Sequence, residues 1–419
     1  MKLLFWISVA LIAYTFVVYP LLLAALAGLA QLWADLRYAV ARTDRRRNRR
    51  GVEPPTVSFI VAAHNEEAVI AGKMRNCAEL DHPADRIEIL VGCDGCTDGT
   101  YALAQSAGLP NARIFDFERS GKPATLNRLV EQAAGDILVF SDANTMYRPD
   151  ALRSLLRHFG SESVGGVCGE LRLTSPAGEM VSEGMYWRYE CFLKFLESRL
   201  NMLVGANGAI FAVRRSLHRP LPPRTINDDF IAAMNVRARG LRMIYDPCAI
   251  ACEEAGGDVR QEFRRRVRIG RGNLRALRHT WRLLLPHAGL VALSYWSHKV
   301  FRWVAPFATL TALLSSVALA GEPFYAVCAA VGLAFVALAA IGFWSSSPRA
   351  SHPLVRIPCY FLVMNLGLLV GFLKDAAGSR SSTWSPTPRA AASEGGGEAA
   401  AGTAEASAAS SAPVAGAGR

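Results

Sequence analysis

The chain has 419 residues, a formal net charge of +11 and nine cysteines. That length admits about two or three domains, and the uneven basic charge suits a phosphate ligand or an anionic membrane face. The excess is membrane-proximal and no aromatic interleaving suggests base stacking, which argues against nucleic acid as a partner, and the cysteines lack the regular spacing of a disulfide or zinc framework.

In chain order, the first element is an apolar run. No charged residue lies between Lys2 and Asp35, and about 20 apolar residues span a bilayer. "ALAG" from Ala25 offers a cleavage site for a signal peptide. The run is much longer than the ~7–15 residues of such a peptide's apolar region, and the arginine cluster Arg42–Arg50 follows it, so 1–36 is read as a transmembrane anchor. By the positive-inside rule that cluster, and the segment 51–282 after it, lie in the cytoplasm. Reduced, mostly structural cysteines agree with this placement.

From Thr56 to Ala63, "TVSFIVAA" reads as a strand, followed by "RIEILVGC" (Arg86–Cys93), "ARIFDF" (Ala112–Phe117) and Ile137–Ser141. Helical patterns separate them, including Pro123–Ala134 with proline in its first turn. Strand–helix alternation predicts an α/β fold with a mostly parallel sheet flanked by helices. Ligands of such sheets bind outside the carboxyl ends of the strands. Three polar groups fall at such ends: His64–Glu66, Asp94 and Asp142.

Beyond the arginine-rich stretch Arg260–Arg282, residues 283–300 read as a helix in the membrane interface, with Tyr295 and Trp296 at headgroup level. Apolar runs then lie between Arg302 and Glu322, Glu322 and Arg349, and Arg356 and Lys374, giving three further spans over 301–375. Four spans would put Lys374, Arg380 and Arg389 on the far side, against the positive-inside rule. The final 390–419, rich in Ala, Gly and Ser, reads as a disordered tail.

Several motifs lie within 51–282. "CDGCTDGT" (Cys93–Thr100) is a turn-rich corner whose Asp94 can accept a hydrogen bond from a base N–H; alone it is an ordinary Asp-Gly turn. With "AAHNEE" upstream, and "SGKPATLN", "SDANT", "GANGAIFAVRR", "NDDF" and "RRRVRIGRG" downstream, the ordered set over about Pro54–Asn273 resembles the membrane-bound enzymes of glycosyltransferase family 2, the group of the cellulose, chitin, hyaluronan and poly-N-acetylglucosamine synthases.

That resemblance implies a GT-A fold inserted between transmembrane helices, a nucleotide-sugar donor (UDP-linked), a divalent metal (Mg²⁺ or Mn²⁺), and inversion at the anomeric carbon. By the same resemblance, Glu66 and Asp94 hold the base and ribose, and Lys122 faces the diphosphate. Asp142 opens the metal-binding DxD-type motif, whose third position here is Asn144, an amide that binds a metal less strongly than a carboxylate. "DAN" would otherwise be a helix cap before Pro149. Asp229, with Asp228 beside it, matches the acceptor-activating acid; a neighbouring negative charge raises a carboxylate's pKa and makes it a better base. Gly205, Asn207 and Gly208 match an acceptor-pocket strand.

Arg268 matches the arginine of the family's Q-x-x-R-W motif, while Arg265 and Ile269 replace its glutamine and tryptophan. A guanidinium pairs well with a diphosphate. The remaining arginines of that helix form a basic face toward membrane lipids. The absent tryptophan weakens the case for long-polymer synthesis and leaves a polysaccharide or a lipid-linked acceptor open. The rivals are single-sugar transfer to a lipid and a non-catalytic nucleotide-sugar-binding export component. His82, His158 and His218 show no ligand spacing and read as surface or core.

Overall fold

The computed structural model describes residues 1–41, 53–174, 185–254, 259–344 and 352–378, all in one compact unit, 1–386. The Arg42–Arg50 cluster and the 390–419 tail lie outside the described residues.

The centre is an eight-stranded sheet in the order β3-β2-β1-β4-β7-β6-β8-β5. The strands are β1 (Val57–Ala63), β2 (Ile87–Asp94), β3 (Ala112–Phe117), β4 (Ile137–Asp142), β5 (Thr145–Tyr147), β6 (Val164–Thr174), β7 (Phe211–Arg214) and β8 (Arg242–Glu254). The first four pair in parallel. β7 runs antiparallel between β4 and β6, and β5 antiparallel on β8. Every residue of β1 is buried, as expected for a parallel strand covered on both faces. The covering helices include α2 (Glu67–Ala78), α3 (Thr100–Ser106), α4 (Lys122–Glu131), α5 (Ala151–Leu156), α6 (Met185–Arg199), α7 (Asp228–Ala238) and α8 (Val259–Thr280). The sheet is the expected mostly parallel one. The long β8 carries Pro247 at a break in register between Gly169 and Glu170 of β6, where no ladder donor is needed.

Four helices are long and apolar enough to cross a membrane: α1 (Lys2–Ala41), α9 (Leu290–Ala318), α10 (Pro323–Trp344) and α11 (Pro353–Ala376). Lys2 pairs with Glu322 at the end of the bundle remote from the sheet. At the near end, Tyr19 of α1 donates to Glu197 of α6 (2.8 Å), and Tyr14 bonds Ser297 of α9. α10 returns to that near end, where Arg260 of α8 lies over Phe343.

The separate interfacial helix expected at 283–300 is not formed. Its second half is the first three turns of α9, which runs unbroken from Leu290 after Gly289, at φ +58°. Tyr295 is not at the protein's surface: it is fully buried, bonds Thr280 and packs on Phe230. Trp296 is exposed, its indole donating to Leu284 O.

α11 is tied to α8 as well as to the bundle. A side chain at Gly371 would meet Val267 O at 2.3 Å, and one at Gly270 would meet Leu368 O at 2.6 Å, so the two backbones touch. Asp375 then accepts from Arg275 of α8, whose other nitrogen bonds Arg224 O.

Candidate active site

The carboxyl ends of β1, β2 and β4 open on one side of the sheet. Three loops meet there. His64 Nδ1 bonds Asp94 O (2.8 Å), Thr97 N–H donates to Asn65 Oδ1, and Asp98 accepts from Thr100 and from Glu67 N–H. Asn65 takes φ +52°, a left-handed value that few residues with a side chain besides asparagine and aspartate adopt. Glu66 is buried at the start of α2, where its N–H donates to Thr100 Oγ1.

Asp94 is wholly buried, and both its oxygens are occupied. They accept from Ser120 N–H (2.7 Å), Gly121 N–H (3.0 Å) and the Arg119 guanidinium (2.8 Å). Asp94 is expected at the nucleotide base, and in the structure its carboxylate also holds a neighbouring loop. A carboxylate with three such donors fixes the loop that delivers the next residue, Lys122.

Lys122 opens α4 after Gly121, which sits at φ +91°. Its ammonium stands between two carboxylates, 2.8 Å from Asp142 and 3.3 Å from Asp228. Burial opposes that charge, but Asp142 and Asp228 outweigh it and hold the lysine well above its ordinary range. The two acids come from distant segments, the end of β4 and the start of α7.

Asp229 follows on the first turn of α7 and accepts from Phe230 N–H. Burial first, and then the charge of Asp228, push its carboxyl up to about 6, against the pull of Lys122 and Lys194. Gly208 lies beside it: a side chain there would touch Asp229 at 3.5 Å. Gly205, at φ +94°, packs on Phe230. The expected acceptor-pocket strand is thus a loop over Gly205–Gly208; glycine in a left-handed conformation cannot continue a strand, and β7 begins only at Phe211.

α8 is docked onto the same place. Asn227 donates to Asn273, and Gly272 leaves room for the Asn227 side chain, 2.5 Å from where a Cβ would be. This brings Arg268, exposed on α8, within electrostatic reach of Asp142, Asp228 and Glu253.

Asn144 donates its amide to Glu253 of β8 (2.8 Å). Glu253 escaped the sequence reading because 109 residues separate the two and β8 has no motif of its own. Lys73 was missed likewise. Fully buried under the Asp142–Asn144 turn, it donates to Ser141 Oγ and Thr145 O and lies over the rings of Phe59 and Tyr147. Burial lowers it to about 8.

The residues present fit a divalent cation held partly by its substrate. Among the described residues no group of three or more His, Cys, Asp or Glu could cage a metal. Asp142 nonetheless already accepts a cation, the Lys122 ammonium, and its side chain is 35% exposed. With its amide nitrogen turned to Glu253, Asn144 can offer its oxygen. One or two protein oxygens completed by phosphates is a usual Mg²⁺ arrangement.

Comparison with known proteins places these observations. The sequence model described as "Glycosyltransferase like family 2" matches residues 54–272, just over half of the chain. "Probable glycosyltransferase YdaM" of Bacillus subtilis is 26% identical over 241 residues, covering 53% of this chain and 56% of its own length. The beta-monoglucosyldiacylglycerol synthase of Synechocystis sp. is 33% identical over 118 residues, 27% of this chain and 25% of that protein. The poly-beta-1,6-N-acetyl-D-glucosamine synthase of Staphylococcus aureus (strain COL) is 25% identical over 222 residues, 50% and 53% respectively. The chain thus spans about half the length, or less, of the curated relatives it matches. Among solved structures, the mannosyltransferase PcManGT from Pyrobaculum calidifontis, in complex with GDP-Man and Mn²⁺, superposes with a TM-score of 0.65 at 22% identity, over 90% of this chain and all of that one. That likeness establishes a shared GT-A-type fold.

Proposed function

Since the chain belongs to glycosyltransferase family 2, we propose that it transfers a sugar, with inversion, from a nucleotide-sugar to an acceptor at the membrane surface. The observation that carries this reading is the meeting of Lys122, Asp142 and Asp228 beside Asp229, a carboxyl raised to about 6.

Each group has a task in a single displacement. Lys122 and Arg268 bind the donor diphosphate, and Asp142 with Asn144 would hold the divalent metal. When bound, that metal supplies charge stabilisation to the departing diphosphate. Asp229 takes the proton from the acceptor hydroxyl, and a base poised near neutrality does so best. Asp228 raises its proton affinity. Asp94 positions the Arg119–Gly121 loop, and Glu66 shapes the neighbouring loop on the nucleotide side. Gly205, Asn207 and Gly208 leave the acceptor room beside the base.

The membrane reading rests on α1, α9 and α10, which run between the Lys2–Glu322 end and the catalytic unit. With the arginine-rich α8 on the catalytic side, that unit faces the cytoplasm. Two relatives point to two acceptor classes: one is a diacylglycerol-directed synthase by name and the other a polysaccharide synthase by name. Ile269, where synthases of long polymers carry tryptophan, favours a lipid acceptor receiving one sugar.

The test is a screen of radiolabelled nucleotide-sugars over the purified protein in lipid, reading nucleotide release and product together. One sugar on extractable lipid supports the favoured acceptor, whereas a ladder of products supports a polysaccharide. Nucleotide binding without release for any donor would refute transfer altogether.

A further inference from the structure

We propose that Lys194 and Lys299 form an anion subsite in the acceptor pocket, holding the phosphate of a phosphate-ester acceptor whose hydroxyl faces Asp229. The proposal rests on the transfer reading above and narrows its acceptor: the ester is the headgroup of a membrane phospholipid, and not a neutral lipid. The two lysines come from different elements. Lys194 lies on α6 in one stripe with Glu190 and Glu197, at i−4 and i+3. Both glutamates are directed at α9, where His298 Nδ1 meets Glu197 at 2.7 Å and Nε2 meets Glu190 at 3.2 Å. The stripe is thereby set against the turn of α9 that carries Lys299. Lys299 in turn meets the Gly205 loop, its Cε 3.9 Å from where a Cβ of residue 205 would stand. Gly208 of the same loop lies against the Asp229 carboxyl, and the charge of Lys194 reaches Asp229 as well. Both lysines therefore stand on the acceptor side of the base.

What they lack is a counter-charge. Lys194 is only 8% exposed. Yet among the described residues neither Lys194 nor Lys299 donates a hydrogen bond or pairs with a carboxylate. The Lys194 ammonium lies over the Trp187 ring, 5.6 Å from its centre, an attraction that leaves its N–H groups without an oxygen acceptor. A buried charge is costly unless it is paired. Lys122 shows the paired arrangement, between Asp142 and Asp228, whereas Glu190 and Glu197 are taken by His298. The unpaired charge also works against the base, because Lys194 lowers the proton affinity of Asp229 that burial and Asp228 raise. A phosphate between the two lysines removes both costs, and lysine binds phosphate as a point charge.

The surroundings of α6 point to a lipid source for that phosphate. Leu193 and Leu196 pack on Tyr19 and Leu23 of α1, while Phe192 and Phe195 are exposed. A helix laid against a transmembrane helix with phenylalanines facing outward lies at headgroup depth. In the transfer, the headgroup hydroxyl gives its proton to Asp229 and its oxygen bonds to the anomeric carbon. The donor diphosphate leaves with the electron pair of the broken bond between carbon and oxygen. The phosphate at Lys194 and Lys299 is unchanged.

The experiment uses the full chain in neutral detergent micelles without donor, and measures equilibrium binding of radiolabelled phosphatidylglycerol, diacylglycerol and glycerol 3-phosphate. Phosphatidylglycerol is expected to bind about tenfold or more tighter than diacylglycerol. Lys194→Met and Lys299→Met keep the apolar stem and remove the charge, so each should lose most of that preference, while Lys194→Arg keeps it. Melting temperature, read on each variant, separates loss of the subsite from loss of the fold. Half-buried Lys299 supplies the variant if Lys194→Met does not fold. Equal affinity of the parent protein for the two lipids, or an intact preference in folded methionine variants, overturns the subsite. Glycerol 3-phosphate bound as tightly as phosphatidylglycerol overturns its lipid source. The transfer reading is decided separately by adding donor: lipid that binds but never receives a sugar would fail that reading and leave the subsite standing.

Discussion

Asp229 meets two opposed demands, and both can be measured. As a base it must be ionised, so kcat/KM should rise with pH through about 6 and then level; a profile flat between about pH 5 and 7 would exclude it. For stability the sign is the reverse. Between the ordinary 3.8 and about 6 the folded state keeps a proton that the unfolded chain has lost, so stability falls as pH rises through that window. Above it the cost of the buried charge is fully present. Asp229→Asn should therefore melt higher than the parent protein at neutral pH, with the gain disappearing in acid below the ordinary carboxylate range. The metal side offers a second contrast. Asp142→Ala should abolish any metal dependence of nucleotide binding. Asn144→Asp replaces the amide that donates to Glu253 with a second carboxylate. That variant should be less stable without metal and show a larger Mn²⁺-induced rise in melting temperature; an equal rise would mean that position 144 does not face the ion.

Among the elements, the α8–α11 contact is the one whose disturbance should reach the site. Gly371 lies directly against the α8 backbone: a Cβ would lie 2.3 Å from Val267 O and 3.0 Å from both Arg271 N and Gly270 Cα. Gly371→Leu must push the helices apart, costing about 1–3 kcal/mol and moving Arg268 relative to Asp142. Thermal melting and turnover should both drop, and normal values for both would show that α8 is held by Asn227–Asn273 alone. The same scale separates what sequence reveals from what it hides. β1 to β4 were legible as short apolar runs because both their faces are covered. β6 and β8 were not: β6 opens "VGGVCGE", and β8 is interrupted at Asp246–Pro247, so neither keeps a period. In the site, Asp142, Lys122 and Asp228 were legible because each sits in a recognisable local motif. Lys73 and Glu253 have no such motif, and their roles arise from contacts over 68 and 109 residues. Asp94 was found, but its bonds to Ser120, Gly121 and Arg119 are facts of tertiary structure.

For the whole molecule, the course of α11 bears on the conflict that four spans raise over Lys374. The helix starts beside α10, where Gly342 is in contact with Val355 and Cys359, and ends with Asp375 on Arg275 of the catalytic unit. Both its ends thus belong to the near side of the bundle, where Arg260 meets Phe343. On the cytoplasmic placement proposed above, a cysteine introduced near the C-terminus should be labelled by an impermeant reagent only after that face is opened; labelling of intact cells would mean that α11 crosses.

The central claim, that this is a transferase with Asp229 as its base, is tested most directly by Asp229→Asn. Asparagine keeps the shape of the side chain but cannot take a proton, and positioned bases contribute ~10²–10⁴-fold. Nucleotide release by this variant, measured beside calorimetric nucleotide binding on the same folded preparation, should fall by about that factor. Affinity should stay within about threefold, because the base acts on the transition state and not on the bound donor. Near-normal turnover in Asp229→Asn would contradict the account.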